Sequence, residues 1–365
     1  MWWIAVLSVL TGVSYLVLIT TFIVGWKRTA VFIPSDDELV DTLISVVVPC
    51  RDEEDQISQL IASIKQQTYQ NFELILVNDH SEDATRSCIE AALPGFKNIR
   101  LVDAIGFGKK NALREGILLS RGDLLVTTDA DCSHSGEWLQ TIATFQNKYP
   151  SDLVICPVRL SSKNTLFSNI QKLEFVSLVA SGAGAAGVGM PILCNGANLV
   201  FTKDTWTKSQ ADLHDEQQSG DDIFLLQSVK KWGGAIRFLK SESAFAVAES
   251  TDSLKSFFKQ RRRWTSKAPA YTDWQIIFTA VVIFTISLLQ VVLLLLSAFD
   301  LKYLLPFLSL FLFKYALDAI FLNAVKVFFK LNQVWFNSLI LSIVYPFYIT
   351  GVALSTLLFK PERWK

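Results

Sequence analysis

The sequence predicts an α/β domain on a mainly parallel sheet, held between N- and C-terminal transmembrane helices. Two patterns carry that expectation. Between about residues 36 and 265, short β-rich runs alternate with helical periodicities, the arrangement of βαβ units. On both sides lie apolar runs long enough to cross a hydrocarbon core, which takes roughly 20 helical residues. Composition agrees, since 51% of the 365 residues are hydrophobic and 19% charged, against roughly 25% charged in soluble domains.

The first apolar run, Trp2 to Trp26, carries no charge and is closed by Lys27 and Arg28. It lacks a basic n-region and an A-x-A-like cleavage site, so residues 1–28 read as a membrane anchor rather than a signal peptide. Three more runs, about Ile276 to Phe299, Tyr303 to Val325 and Val334 to Phe359, make a C-terminal membrane region over 276–359. Inside the second of these, Lys314 and Asp318 stand four apart, as a neutralising pair or as residues on a substrate path. Phe175 to Cys194 is also free of charge but is rich in Gly, Ala and Ser. Inserting it would place Asp131 and Asp222 on opposite sides of the bilayer, so it is expected to be a closely packed interior or membrane-apposed segment, with a transmembrane span as the alternative.

The 34 basic and 34 acidic residues cancel, which leaves no overall basic field to hold nucleic acid. Cys50, Cys88, Cys132, Cys156 and Cys194 form no C-x-x-C pair, which fits a reducing compartment better than a disulfide framework or a zinc site. His80, His134 and His214 are too scattered for a metal site and read as structural or surface residues.

Within the central stretch, Leu43 to Pro49, Phe72 to Val77, Ile99 to Val102, Asp123 to Thr128 and Asp152 to Val158 read as strands. Ile57, Leu60, Ile61 and Ile64 mark a helix after the first of them. Ligands of open α/β sheets sit beyond the carboxyl ends of the strands. There the sequence places Asp52, then Asp79, then Asp129 and Asp131. Any one of these is ordinary as a turn residue or helix cap. Gathered at one edge they repel unless a divalent cation or basic side chains neutralise them, and hard oxygen ligands favour Mg2+ or Mn2+, which also bind substrate phosphates.

The motifs Val46 to Glu54 (VVVPCRDEE), Leu76 to Asp83 (LVNDHSED), Gly108 to Leu113 (GKKNAL), Thr128 to Cys132 (TDADC), Gly220 to Leu226 (GDDIFLL) and Gln260 to Trp264 (QRRRW) resemble those of membrane-integrated family 2 glycosyltransferases. That family includes the cellulose, chitin and hyaluronan synthases. The resemblance covers about residues 43 to 265 and implies an A-type glycosyltransferase (nucleotide-diphospho-sugar transferase) domain, catalytic over 36–265. It implies that Asp52 and Asp79 face the base and ribose, that Lys109 or Lys110 lies near the base or diphosphate, and that Asp129 meets the ribose side. Asp131, with Asp129, would hold the metal. Asp222 would be the general base, with Asp221 beside it. Gln260, Arg263 and Trp264 would border acceptor and diphosphate, whereas Arg261 and Arg262 are assigned to lipid or solvent. Asn78 and His80 stand where the family often has Asp and Gly, and Gly-Asp-Asp replaces the commoner Thr-Glu-Asp.

The chemistry explains these residue types. A nucleoside diphosphate leaving group needs its growing charge stabilised, and an acceptor hydroxyl needs a base. The expected protein is an integral, multi-pass protein of the cell or inner membrane. It would transfer a hexosyl or N-acetylhexosaminyl group, with inversion, from a nucleotide-sugar donor to a lipid or glycan acceptor. Its catalytic domain would be cytosolic, and its basic segments would meet membrane lipids. The alternatives are a processive polysaccharide synthase and, in another class, a catalytically silent scaffold or sugar-nucleotide sensor on the same fold.

Overall fold

The computed structural model describes residues 2–34, 40–161, 163, 165–214 and 220–358. In chain order the elements are α1 (Trp2–Arg28), β1 (Ile44–Cys50), α2 (Ile57–Lys65), β2 (Phe72–Asn78), α3 (Thr85–Ala92), β3 (Ile99–Asp103), α4 (Lys109–Leu118), β4 (Leu124–Thr127), β5 (Cys132–His134) and α5 (Trp138–Lys148). They continue with β6 (Leu153–Ile155), β7 (Val158–Leu160), α6 (Leu166–Gly187), β8 (Leu199–Thr202), α7 (Lys203–Ser209), α8 (Asp221–Lys231), β9 (Ile236–Phe238) and β10 (Ala246–Ala248). The last four are α9 (Leu254–Thr265), α10 (Trp274–Ser297), α11 (Leu304–Phe329) and α12 (Val334–Leu358). Two compact units result, one holding α1, α6 and α9 to α12, the other all the strands with the remaining helices. Thus α6 and α9, which fall within 36–265 by sequence, cluster with the helical unit.

In the α/β unit a seven-stranded sheet runs β3-β2-β1-β4-β8-β6-β9. The β3-β2-β1-β4 half is parallel, with Ile44 opposite Phe72 and Leu124. The sheet is mixed rather than parallel throughout, because β8 enters antiparallel between β4 and β6. The run Asp152 to Val158 is two strands, not one. It breaks at Cys156 and Pro157, and β7 joins β10 and β5 in a separate three-stranded sheet. Pro157, at the break, has no N–H to donate to a ladder.

Alternation along the strands divides the core. Val46, Val48, Leu74, Leu76 and Val126 join Ile57, Leu60, Ile61 and Ile64 of α2 and Trp138, Leu139 and Ile142 of α5 in one apolar cluster. Ile75, Val77 and Ala112 pack on the other face. There α4 lies so close that a Cβ on Gly116 would come within 2.4 Å of Val47 Cγ1. Burial on both faces explains why β1 and β2 read as continuous apolar runs.

In the helical unit, α1 and α10 to α12 are long and apolar enough to cross a membrane. The fourth apolar run was expected to reach Phe359; that residue, and Lys360, Arg363 and Lys365 after it, lie outside the described residues. The Gly/Ala-rich stretch belongs to α6, packed backbone to backbone on α1. A Cβ at Gly25 would fall 1.7 Å from the Gly184 carbonyl oxygen, the close approach that small residues permit. Lys314 is a buried partner of Asp318, 2.6 Å away, and Asp318 also accepts from the Tyr15 hydroxyl.

Candidate active site

The carboxyl ends of β1, β2 and β4 bring the expected acids together in the α/β unit. Directly after β1, Asp52 adopts a left-handed backbone, φ 51°, and its carboxylate accepts the Glu82 N–H at 2.9 Å. Asp79, after β2, is wholly buried. The Gly108 N–H reaches both of its oxygens, at 3.0 and 2.9 Å. Arg51 stands 3.7 Å away and His80 Nδ1 3.2 Å away. Gly108 caps α4 with φ 95°, a conformation glycine takes without strain. Asp79 therefore sits where the N-terminal N–H groups and dipole of α4 stabilise negative charge.

Lys109 opens α4 and ion-pairs with Asp129. Its neighbour Lys110 turns toward α8, donating to the carbonyls of Leu213 and His214 and standing 3.7 Å from Asp221. Asp129 and Asp131 are half-buried on either side of the buried Ala130, in a turn between β4 and β5 closed by the Cys132 N–H on the Asp129 carbonyl at 3.1 Å. The pair offers oxygen donors only, and one carboxylate is balanced by Lys109. Among the described residues no group of three metal-ligating side chains forms. This donor set fits a cation that takes one or two carboxylates and completes its shell with phosphate oxygens and water.

Asp222 lies in the first turn of α8. Its Oδ2 accepts the Gly196 N–H at 3.1 Å and its Oδ1 its neighbour Ile223's N–H at 2.8 Å. The Gly196 carbonyl in turn accepts from Thr127 Oγ1 at 2.8 Å, which ties Asp222 to the end of β4. Gly108 and Gly196 escaped the sequence reading as functional positions. The signals were there: Gly108 begins a quoted motif, and Asn195-Gly196 is a turn dipeptide. Burial, with the Asp131 and Asp129 charges beside it, pushes the Cys132 thiol well up, and burial does the same to Cys50. All five cysteines are free.

Gln260, Arg263 and Trp264 share α9, in the helical unit. Arg261 is a correction to the sequence reading, which sent it to lipid or solvent. It is 2% exposed and paired with Glu174 of α6. His134 is a core residue, stacked on Trp138 at 3.7 Å and 3.0 Å from Thr128 Oγ1. Burial pulls its pKa down to about 3, so the ring is neutral.

The α/β unit is similar to family 2 glycosyltransferases. Residues 45–203 match the model described as Glycosyl transferase family 2. Over 107 residues the chain is 34% identical to an uncharacterized glycosyltransferase of Haemophilus influenzae, covering 29% of this chain and 33% of that protein. Over 100 residues it is 33% identical to the undecaprenyl-phosphate 4-deoxy-4-formamido-L-arabinose transferase of Aeromonas hydrophila, covering 26% and 31%. The chain thus spans about a third of the length of the curated relatives it matches. The solved mannosyltransferase PcManGT of Pyrobaculum calidifontis, in complex with GDP-Man and Mn2+, superposes with a TM-score of 0.62. That match covers 98% of this chain and 99% of the other at 14% identity, and it shows the A-type fold.

Proposed function

We propose that this protein is an inverting glycosyltransferase that moves a sugar from a nucleotide-diphosphate donor to a hydroxyl of a lipid or glycan at the cytosolic membrane face. The observation that carries the proposal is the convergence of Asp79, Asp129, Asp131 and Asp222 at one sheet edge, with Asp222 tied to the end of β4 through Gly196. Asp52 and Asp79 are assigned to the nucleoside and Lys109 to the diphosphate, with Asp129 shared between ribose and cation. Asp221 is assigned to the acceptor side, and Gln260, Arg263 and Trp264 to acceptor and diphosphate.

Asp129 and Asp131 would hold Mg2+ or Mn2+, which when bound supplies positive charge beside the leaving diphosphate. Lys109 can shift from Asp129 to a phosphate oxygen as donor enters, because a lysine is a mobile point charge. Asp222 would take the acceptor proton. Two backbone N–H groups orient its carboxylate, and attack from the face opposite the leaving group inverts the anomeric carbon. A hydroxyl needs that base, whereas a polyprenyl phosphate is already anionic and does not. Asp222 is therefore the residue that favours a hydroxyl acceptor over the phosphate acceptor named for the Aeromonas relative.

The deciding experiment incubates membranes carrying the protein with a panel of nucleotide sugars and identifies products by mass spectrometry. A glycosylated lipid or glycan is expected; no product with any donor would defeat the proposal and favour the silent scaffold. A long polymer would instead point to the processive synthase. Sidedness follows from Lys27 and Arg28 after α1 and Lys267 before α10, which face inward by the positive-inside rule. Protease outside sealed, right-side-out vesicles should spare residues 36–265, and cleavage there would refute a cytosolic site.

A further inference from the structure

Helix α9 has one buried residue, Arg261. Its guanidinium makes a two-point pair with Glu174 of α6, Nε to Oε1 at 3.1 Å and Nη2 to Oε2. Nη1 donates to Gln260 Oε1. The same guanidinium lies over the rings of Trp264, at 4.2 Å, and Phe257, at 4.5 Å. Glu174 is 2% exposed and also accepts from the Tyr348 hydroxyl of α12 at 3.2 Å. Every residue of this network belongs to the helical unit. One side chain therefore touches both ends of the Gln260-to-Trp264 motif and is tied to α6 directly and, through Glu174, to α12.

A buried ion pair is poor evidence for stability, since well-packed apolar residues of the same volume do as well or better. What a bidentate guanidinium–carboxylate pair contributes is direction, because the planar fork accepts few orientations. Burial works against the charge of Arg261, but the adjacent Glu174 carboxylate outweighs it and holds the pKa up.

We infer that Glu174 and Arg261 are positioning residues, which orient Gln260 and Trp264 for the acceptor by anchoring α9 to α6 and, through Tyr348, to α12. The inference rests on the proposed role of that motif at the acceptor. It adds two residues, Glu174 and Tyr348, from segments outside the motifs.

The test uses the full-length protein in detergent, with two independent readouts on Glu174→Gln, Tyr348→Phe and Arg261→Lys. The first is amide hydrogen exchange of peptides covering 254–265. Loss of the charged pair in Glu174→Gln should speed exchange there by about tenfold or more, with α10 and α11 unchanged and a smaller effect in Tyr348→Phe. The second is kinetics with the donor selected by the panel and two acceptor probes, diacylglycerol and undecaprenyl phosphate. A misplaced acceptor group should lower kcat/KM for the acceptor by up to roughly 10²-fold while the donor KM holds. Unchanged exchange in α9, or a loss shared equally by donor and acceptor, would overturn the inference. If Glu174→Gln loses protection throughout, Arg261→Lys decides. Lysine keeps the charge but lacks the fork and the stack, so the same split is expected, and wild-type kinetics would overturn it. If the wild type transfers to neither probe, the functional proposal loses support while exchange still judges the anchor.

Discussion

Asp79 and Glu174 are both fully buried carboxylates, and their surroundings differ in kind. Asp79 is served by backbone: the Gly108 N–H at the start of α4 spans both of its oxygens, with Arg51 and His80 close by. Glu174 is served by side chains far away in sequence, Arg261 at a separation of 87 residues and Tyr348 at 174. Backbone donors at a strand end are set as soon as strand and helix form. A side-chain pair across three helices exists only when all three have docked. Asp79 is thus held by backbone 29 residues away, whereas the α9 motif is organised by side chains from helices much further along the chain.

The largest effect that tests this contrast is at the sheet edge. If Asp129 and Asp131 hold a cation, excess chelator should abolish turnover and Mg2+ or Mn2+ restore it; full activity under chelation would remove the metal from the site. Next, Asp222→Asn keeps the shape of the side chain and removes the base. Turnover to a hydroxyl acceptor should fall by roughly 10² to 10⁴ with nucleotide binding retained. Near-normal turnover would shift the base to Asp221 or mark the acceptor as a phosphate.

In the helical unit the expected cost is to packing instead. Gly25→Ala drives a methyl into the Gly184 backbone, and such overpacking should lower stability by about 1–3 kcal/mol, read as an earlier midpoint in chemical denaturation. A wild-type midpoint would show that α1 and α6 can part without cost.

An effect confined to acid pH concerns His134. Its folded pKa is depressed to about 3, so the unfolded chain binds the proton first as pH falls. The contribution is complete above the unfolded value of about 6.5 and is lost toward about 3, at up to about 1.4 kcal/mol per pH unit. His134→Phe, which keeps a ring against Trp138, should flatten the acid limb of the denaturation midpoint across that window. An identical limb in both proteins would show that other groups set it.

Much of this was legible in the sequence for a physical reason. Hydrophobic runs and their periods report burial on one or two faces, so β1 to β4, α2 and the four long apolar helices stand where the pattern places them. Acids after strands report the edge at which ligands collect. The short strands β5, β8, β9 and β10 escaped the sequence reading, and the antiparallel entry of β8 depends on pairing that no local signal encodes.

By itself, then, the sequence determined the four long apolar helices, the strands β1 to β4 and the acids that follow them, because those depend on neighbours a few residues apart. Only the tertiary structure decided that Arg261 is buried rather than offered to lipid, that Glu174 and Tyr348 hold it, and that Gly25 meets Gly184. Those outcomes depend on which distant helices dock, and an arginine in a basic run looks the same in the sequence whether it faces water or a carboxylate 87 residues away.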